Sequence, residues 1–171
     1  MEKKLSDYLF TLFSAWIVTI GFDFFLHGGL LARIYTQESP FLLPAESAFA
    51  RIPLGYASFL ILLILLNWLA EIAGVNDRKS GFTFGLKIGL TAWGAFTLGL
   101  YSISTAGIAL LVGWWLGQAL ELGLAGFVIG VCREGTGKKK VVLWVIGFIF
   151  LMLILTIALQ IIGVAKPMKT V

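Results

Sequence analysis

Long apolar stretches separated by short charged connections run the length of the chain. Five of them approach the ~20 residues needed to cross a hydrocarbon core about 30 Å thick. They predict membrane-spanning helices over residues 8–31, 54–74, 82–100, 105–131 and 141–164. The third and fourth meet at residues 101–105, a connection without charge, which predicts a tight helical hairpin. The expected fold is all-α: a single polytopic transmembrane domain, residues 1–171, built as a bundle of about five helices.

Within these stretches the small residues are periodic. Gly81, Gly85 and Gly89 repeat every four residues on the third helix, as do Gly113/Gly117 and Gly126/Gly130 on the fourth. Glycines at this spacing let two backbones approach closely, which gives helices van der Waals contact where lipid offers no hydrophobic drive. The two glycine faces are expected to meet as a zipper inside the hairpin; pairing across a homodimer is the rival. The fifth helix is apolar almost all round and is expected to be the most lipid-exposed.

The longest connection, residues 36–53, is punctuated by Pro40, Pro44 and Pro53. A short helix is expected after Pro44, because proline fits a first helical turn. Phe41, Leu42, Leu43 and Phe49 make the segment apolar enough to lie on the membrane or to cap the bundle.

Polar residues inside the stretches fall at helical spacing, so each set shares one face. The first helix carries Thr19, Asp23 and His27; the second Asn67 and Glu71; the third Thr83, Lys87 and Thr91; the fourth Trp114, Gln118 and Glu121. An ionisable group in hydrocarbon costs about 2.5–3.5 kcal/mol on insertion scales and so faces protein or water. Counting about 1.5 Å per residue sorts them into two layers. An inner cluster of Glu71, Lys87, Glu121, Asn67 and Gln118 is expected, with Lys87 bridging one of the two carboxylates. The outer layer holds Asp23 and His27, with Arg51, Tyr101 and Gln160 at comparable or shallower depth. Asp23 precedes His27 by four residues, so the carboxylate can orient the imidazole and make a proton-responsive pair. Gly28 and Gly29 come directly after the pair and weaken the helix there.

Composition fixes the class. Only 13% of the 171 residues are charged, against about 25% in a typical soluble domain. The net charge of +4 does not signal nucleic-acid binding, because the basic residues sit in connections and flanks, where they set topology and meet lipid headgroups. With the N-terminus inside, the inner side holds Lys3, Lys4, Arg78, Lys79, Lys87, Arg133, Lys138, Lys139 and Lys140. The outer side holds Arg33, Arg51, Lys166 and Lys169. That asymmetry predicts a multi-pass cell-membrane protein with a cytoplasmic N-terminus and an outer C-terminus. Lys3 and Lys4 precede an apolar run without a small-x-small cleavage site, which predicts an uncleaved first helix.

Several chemistries are excluded. The single cysteine, Cys132, rules out an internal disulfide. One histidine and one cysteine leave only carboxylates for a metal, so no metal site is expected. Haem ligation by His27 and one of Met1, Met152 or Met168 has nothing to recommend it. Gly135-Thr136-Gly137-Lys138 lacks the first glycine and the Ser/Thr of a phosphate loop. No catalytic residue and no cofactor is assigned, and an enzyme is the least favoured class.

The polar end of the first span, the glycine-rich GFTFGLKIGLTAWG and the WWLGQALELGLAGFVIG stretch together resemble small multi-helix bacterial inner-membrane proteins of uncharacterised families. The resemblance implies a fold and transfers no site. The residues support two function classes. One is a small transporter or proton- or ion-responsive module with an intramembrane Asp23/His27 site. The other is a structural or accessory subunit whose charges are internal locks. The expected partners are membrane lipid and a further copy or a larger membrane complex.

Overall fold

The computed structural model describes residues 2–37 and 39–165; Met1, Lys166, Met168 and Lys169 lie outside the described residues. The described chain is entirely helical apart from its connections. The helices are α1 (Glu2–Phe25), a π-helical turn (Leu26–Leu30), α2 (Ala32–Tyr35), α3 (Ala45–Ile72), α4 (Arg78–Ile103), α5 (Ile108–Arg133) and α6 (Lys138–Ile161).

Four helices are long and apolar enough to cross a membrane: Lys4–Leu30, Glu46–Ile72, Ile108–Arg133 and Lys138–Ile161. The remaining long helix, α4, carries Arg78, Lys79 and Lys87 and is diluted by glycine and threonine. Its place is fixed by packing instead. A Cβ on Gly81 would collide with the Gly126 carbonyl, one on Gly85 with the Leu122 carbonyl, and one on Gly89 would lie 2.5 Å from Ala119 Cα. Gly130 in turn lies against the Asp77 carbonyl. The α4 and α5 backbones therefore touch along an antiparallel seam that only glycine permits.

The other half of the expected zipper goes elsewhere. Gly113 and Gly117 face Leu31 and Leu26, not α4. The reason is geometric: α5 spends one small-residue face on α4 and a second on the first helix. This second seam is antiparallel, with Leu26 at Gly117 and Leu31 at Gly113. The same register places Glu121 opposite Phe22 and Asp23.

Around this pair α1 is the hub. Its Leu12, Ala15 and Val18 enter one core with Leu63, Leu66 and Ala70 of α3, Leu122 and Ala125 of α5, and Val141 and Val145 of α6. A smaller core above it joins Phe22, Leu26 and Met152. Trp16 Nε1 donates to the Tyr56 carbonyl at 2.8 Å and ties α1 to α3. The outward faces of α3 and α6 stay apolar and exposed, through Leu54, Ile61, Trp68, Leu143, Ile154 and Ile161.

The connection after α2 is shorter than the sequence suggests. The short helix expected after Pro44 is continuous with the second span, and Pro53 lies inside α3. Pro53 lies past the first turn of α3 and forfeits one intrahelical hydrogen bond, to the Phe49 carbonyl. At the opposite end Asp77 caps α4, accepting from Lys79 N at 2.8 Å and Ser80 N at 3.1 Å. Arg78 pairs with Glu134 there, and Lys138 Nζ lies 2.6 Å from Asp7 Oδ1.

Candidate functional site

The site begins where α1 stops being an α-helix. Leu31 N reaches past the usual partner to the Leu26 carbonyl at 2.8 Å, a five-residue closure that makes Leu26–Leu30 a π turn. Gly28 and Gly29 sit within it, and a Cβ on Gly29 would press on Leu159 Cδ1 of α6 at 3.2 Å. Gln160 Nε2 of α6 donates to the Gly28 carbonyl at 3.4 Å. Such turns insert one residue into a helix and rotate the residues beyond it, and they concentrate at functional sites.

That rotation delivers Tyr35 to His27. Asp23 Oδ1 lies 3.1 Å from His27 Nε2, as the four-residue spacing requires. His27 Nδ1 lies 2.5 Å from Tyr35 Oη, and Trp114 Nε1 of α5 donates to the same Oη at 2.6 Å. The indole can only donate, so it occupies one lone pair of the phenol oxygen. With Asp23 ionised, His27 turns its Nε2–H to the carboxylate, leaves Nδ1 as an acceptor, and receives the Tyr35 hydroxyl proton. The chain then runs in one sense: Trp114 to Tyr35 to His27 to Asp23. Asp23 and His27 keep 13% and 27% of their side-chain surface exposed, so the pair is sheltered but not sealed. Phe41 packs on the far side of Trp114, its ring 6.2 Å from that of the indole.

Glu121 completes the site. It is 1% exposed, and neither carboxylate oxygen has a hydrogen-bond partner. Gln118, one turn earlier and also buried, is near enough to interact but not in hydrogen-bonding geometry. Glu121 faces the Asp23 level of α1 across the α1–α5 seam, one turn along α5 from Gly117, which packs on Leu26. Thr19, one turn below Asp23, is buried with its hydroxyl unpartnered.

The structure thus regroups the polar residues. Asp23 and His27 meet as the spacing predicts, but Glu121 joins them and not the inner cluster, since it stands at mid-helix on α5, level with Asp23. Glu71 and Lys87 are both exposed, and neither takes part in an ion pair among the described residues. The expected Lys87 bridge is therefore not formed: Lys87 lies on the open face of α4 because glycines occupy the face against α5. The lock at that end of the bundle belongs to Arg133, whose Nη2 donates to both the Asn67 carbonyl and Asn67 Oδ1 at 3.0 Å, while Nη1 reaches the Val75 carbonyl at 3.2 Å. Of the outer neighbours expected beside the pair, Gln160 contacts the π turn.

Tyr35 is the residue sequence reasoning missed. Its position eight residues after His27 is a two-turn repeat of the Asp23–His27 spacing, and that is the signal that marks it. Among the described residues, no group of three or more His, Cys, Asp or Glu side chains gathers to hold a metal ion. The arrangement suits proton chemistry: an imidazole with one nitrogen on a phenol and the other on a carboxylate, with the unpartnered Glu121 carboxyl on the facing helix. No protein-family model, curated protein or solved structure matches the chain.

Proposed function

We propose that this chain is a small proton-responsive integral membrane protein, in which the Asp23–Glu121 carboxylate pair takes up and releases a proton beside His27. All five long helices cross the membrane in this reading, α4 as the partner of α5 in the glycine hairpin, with the N-terminus cytoplasmic and Tyr35 at the outer side. Lipid covers the exposed apolar faces of α3 and α6. Support for the membrane setting comes from the four apolar helices and those faces.

The observation that carries the function is Glu121. A charged carboxylate at 1% exposure without a hydrogen bond has no compensation for its lost hydration, and a neighbouring carboxylate adds like-charge repulsion. Like-charge repulsion between two such groups on facing helices favours one of them being protonated over both being ionised. A purely structural role would favour satisfied groups, as at Asn67 and Arg133.

The test is difference infrared spectroscopy of the protein in lipid nanodiscs, stepped from about pH 9 to about pH 5, the range in which histidine and perturbed carboxyls titrate. The expected result is a carboxylic-acid carbonyl band that changes with pH and is lost in Glu121→Gln or Asp23→Asn. A spectrum without a pH-dependent carboxyl band removed by either substitution would overturn the reading.

A further inference from the structure

We propose that Tyr35 and His27 form a relay that loads the proton from the outer side onto the Asp23–Glu121 pair, with Trp114 fixing the sense of its first link. The proposal rests on the proton-responsive reading above and adds the route by which the site is reached.

The geometry supplies each step. Tyr35 Oη accepts from Trp114 Nε1 on one lone pair and donates its proton towards His27 Nδ1 at 2.5 Å. Its second lone pair remains, and Tyr35 is only partly buried, at the outer end of the bundle. A proton from hydronium joins that lone pair, leaving water, as the original hydroxyl proton passes to His27 Nδ1. The Nε2–H of His27 then passes to Asp23 Oδ1 over 3.1 Å. Three bonds break, the hydronium O–H, the original phenolic O–H and the Nε2–H, and three form, the new phenolic O–H, the Nδ1–H and the Asp23 O–H. One proton has entered at Tyr35 and one has arrived at Asp23. Tyr35 is left neutral and His27 is left as the other neutral tautomer, its Nδ1–H now donating to Oη. Removing the proton from Asp23 runs the same steps backwards, so the relay fills and empties a store.

The sense of the chain depends on Trp114. An acceptor at that position would draw the Tyr35 hydroxyl away from His27; an indole cannot accept. The groups facing the relay are few. From α5 come Trp114, Gln118 and Glu121; from α3, Tyr56; from α6, Gln160, which is held by the Gly28 carbonyl. The nearest cation on α2, Arg33, donates to the Gly163 carbonyl beyond α6. Among these, the titratable groups besides Asp23 and His27 are Glu121, Tyr35 and Tyr56. The π turn matters here because it brings Tyr35 within reach of Nδ1.

A relay changes rate, whereas a mere store changes extent. Proton uptake after a pH jump is followed by stopped flow with a soluble pH indicator, using the full chain in nanodiscs. Final occupancy is read from the infrared carboxyl band of the same samples. Tyr35→Phe should slow uptake by about 10²-fold, the low end of what a positioned proton-transfer group contributes, while leaving the final band in place. His27→Gln should slow it at least as much. Trp114→Phe should leave Tyr35 in place but slow uptake less, because the phenol is no longer held in one sense. Tyr35→Phe with the wild-type rate and the wild-type band overturns the relay and leaves the store standing. A wild-type protein without the band overturns the functional reading itself.

Discussion

Tyr35 and Trp114 are 79 residues apart in sequence, yet the Trp114 indole donates to the Tyr35 hydroxyl at 2.6 Å. That one bond joins α2 to α5 and fixes the orientation of the phenol beside His27. Trp114→Phe keeps an aromatic ring under Phe41 but removes the donor. The expected cost is about 1 kcal/mol, the net worth of one intramolecular hydrogen bond, measured by denaturant titration of the purified protein in detergent. A loss of 3 kcal/mol or more would mean that packing of the larger ring, about 3–5 kcal/mol for a full truncation, outweighs the bond.

The two glycine seams make a second prediction. Gly85→Ala puts a Cβ into the Leu122 carbonyl of a facing backbone, which cannot move aside as a side chain would. Overpacking of this kind costs typically about 1–3 kcal/mol. Gly99 lies on the same helix with nothing within 4 Å of its Cβ position. There alanine should stabilise by up to about 1 kcal/mol through helix propensity. Thermal unfolding of both variants checks the contrast; equal behaviour would remove the seam.

How much of this was legible in the sequence varies by element. The apolar blocks and the four-residue glycine repeats announce the helices and the α4–α5 contact, because both depend on local period alone. The i,i+4 spacing likewise announces the Asp23–His27 pair. The partner of each polar residue was not legible, since it depends on which face of α5 meets which helix. Gly113 and Gly117 have the same spacing as Gly126 and Gly130 but serve a different neighbour. That rotation carries Glu121 to Asp23 and leaves Lys87 outside. The π turn was visible only as two glycines, which signal a weak helix but not how it yields.

The displaced charges give a third prediction. Lys87 is exposed and outside any ion pair among the described residues, so Lys87→Gln should change stability by no more than about 0.5 kcal/mol, as for surface positions generally. Arg133→Met removes three hydrogen bonds to Asn67 and Val75 and strands Asn67 Oδ1. It should cost about 1–3 kcal/mol. Equal effects of the two substitutions in the same detergent would contradict the assignment of the Asn67 lock to Arg133.

The connections outside the spans carry a pH dependence of known sign. The Arg78 guanidinium bonded to Glu134 holds its carboxyl below the usual range, and backbone and hydroxyl donors from Ser80 do the same to Asp77. A carboxyl whose folded pKa is depressed binds fewer protons folded than unfolded. Its contribution is therefore complete above the unfolded value, about 4 for these side chains, and is lost as pH falls through the lower folded value. Thermal stability should accordingly decline on acidification below about pH 4. Glu134→Gln should flatten part of that decline. A variant with an unaltered acid limb would show that the Arg78–Glu134 contact is absent in solution.

Glu121 offers the sharpest separation between a functional and a structural site. A structural carboxylate is bonded, and its removal destabilises by stranding a partner. Both Glu121 oxygens are unpartnered at 1% exposure, so its removal strands nothing and relieves an unsatisfied polar group. Even a buried ion pair is often replaced by hydrophobic residues of similar volume with a neutral or stabilising effect, of about 1–4 kcal/mol, and an unpaired carboxyl has no partner attraction to lose. Glu121→Met fits the same space with an unbranched, adaptable side chain. It should raise the unfolding free energy in detergent, by about 1 kcal/mol or more, and abolish the pH-dependent carboxyl band. A costly group kept without folding benefit is the pattern expected where function holds it in place. A destabilised Glu121→Met protein would show instead that the carboxyl has a bonded partner, and the accessory-subunit reading would then account for the site better.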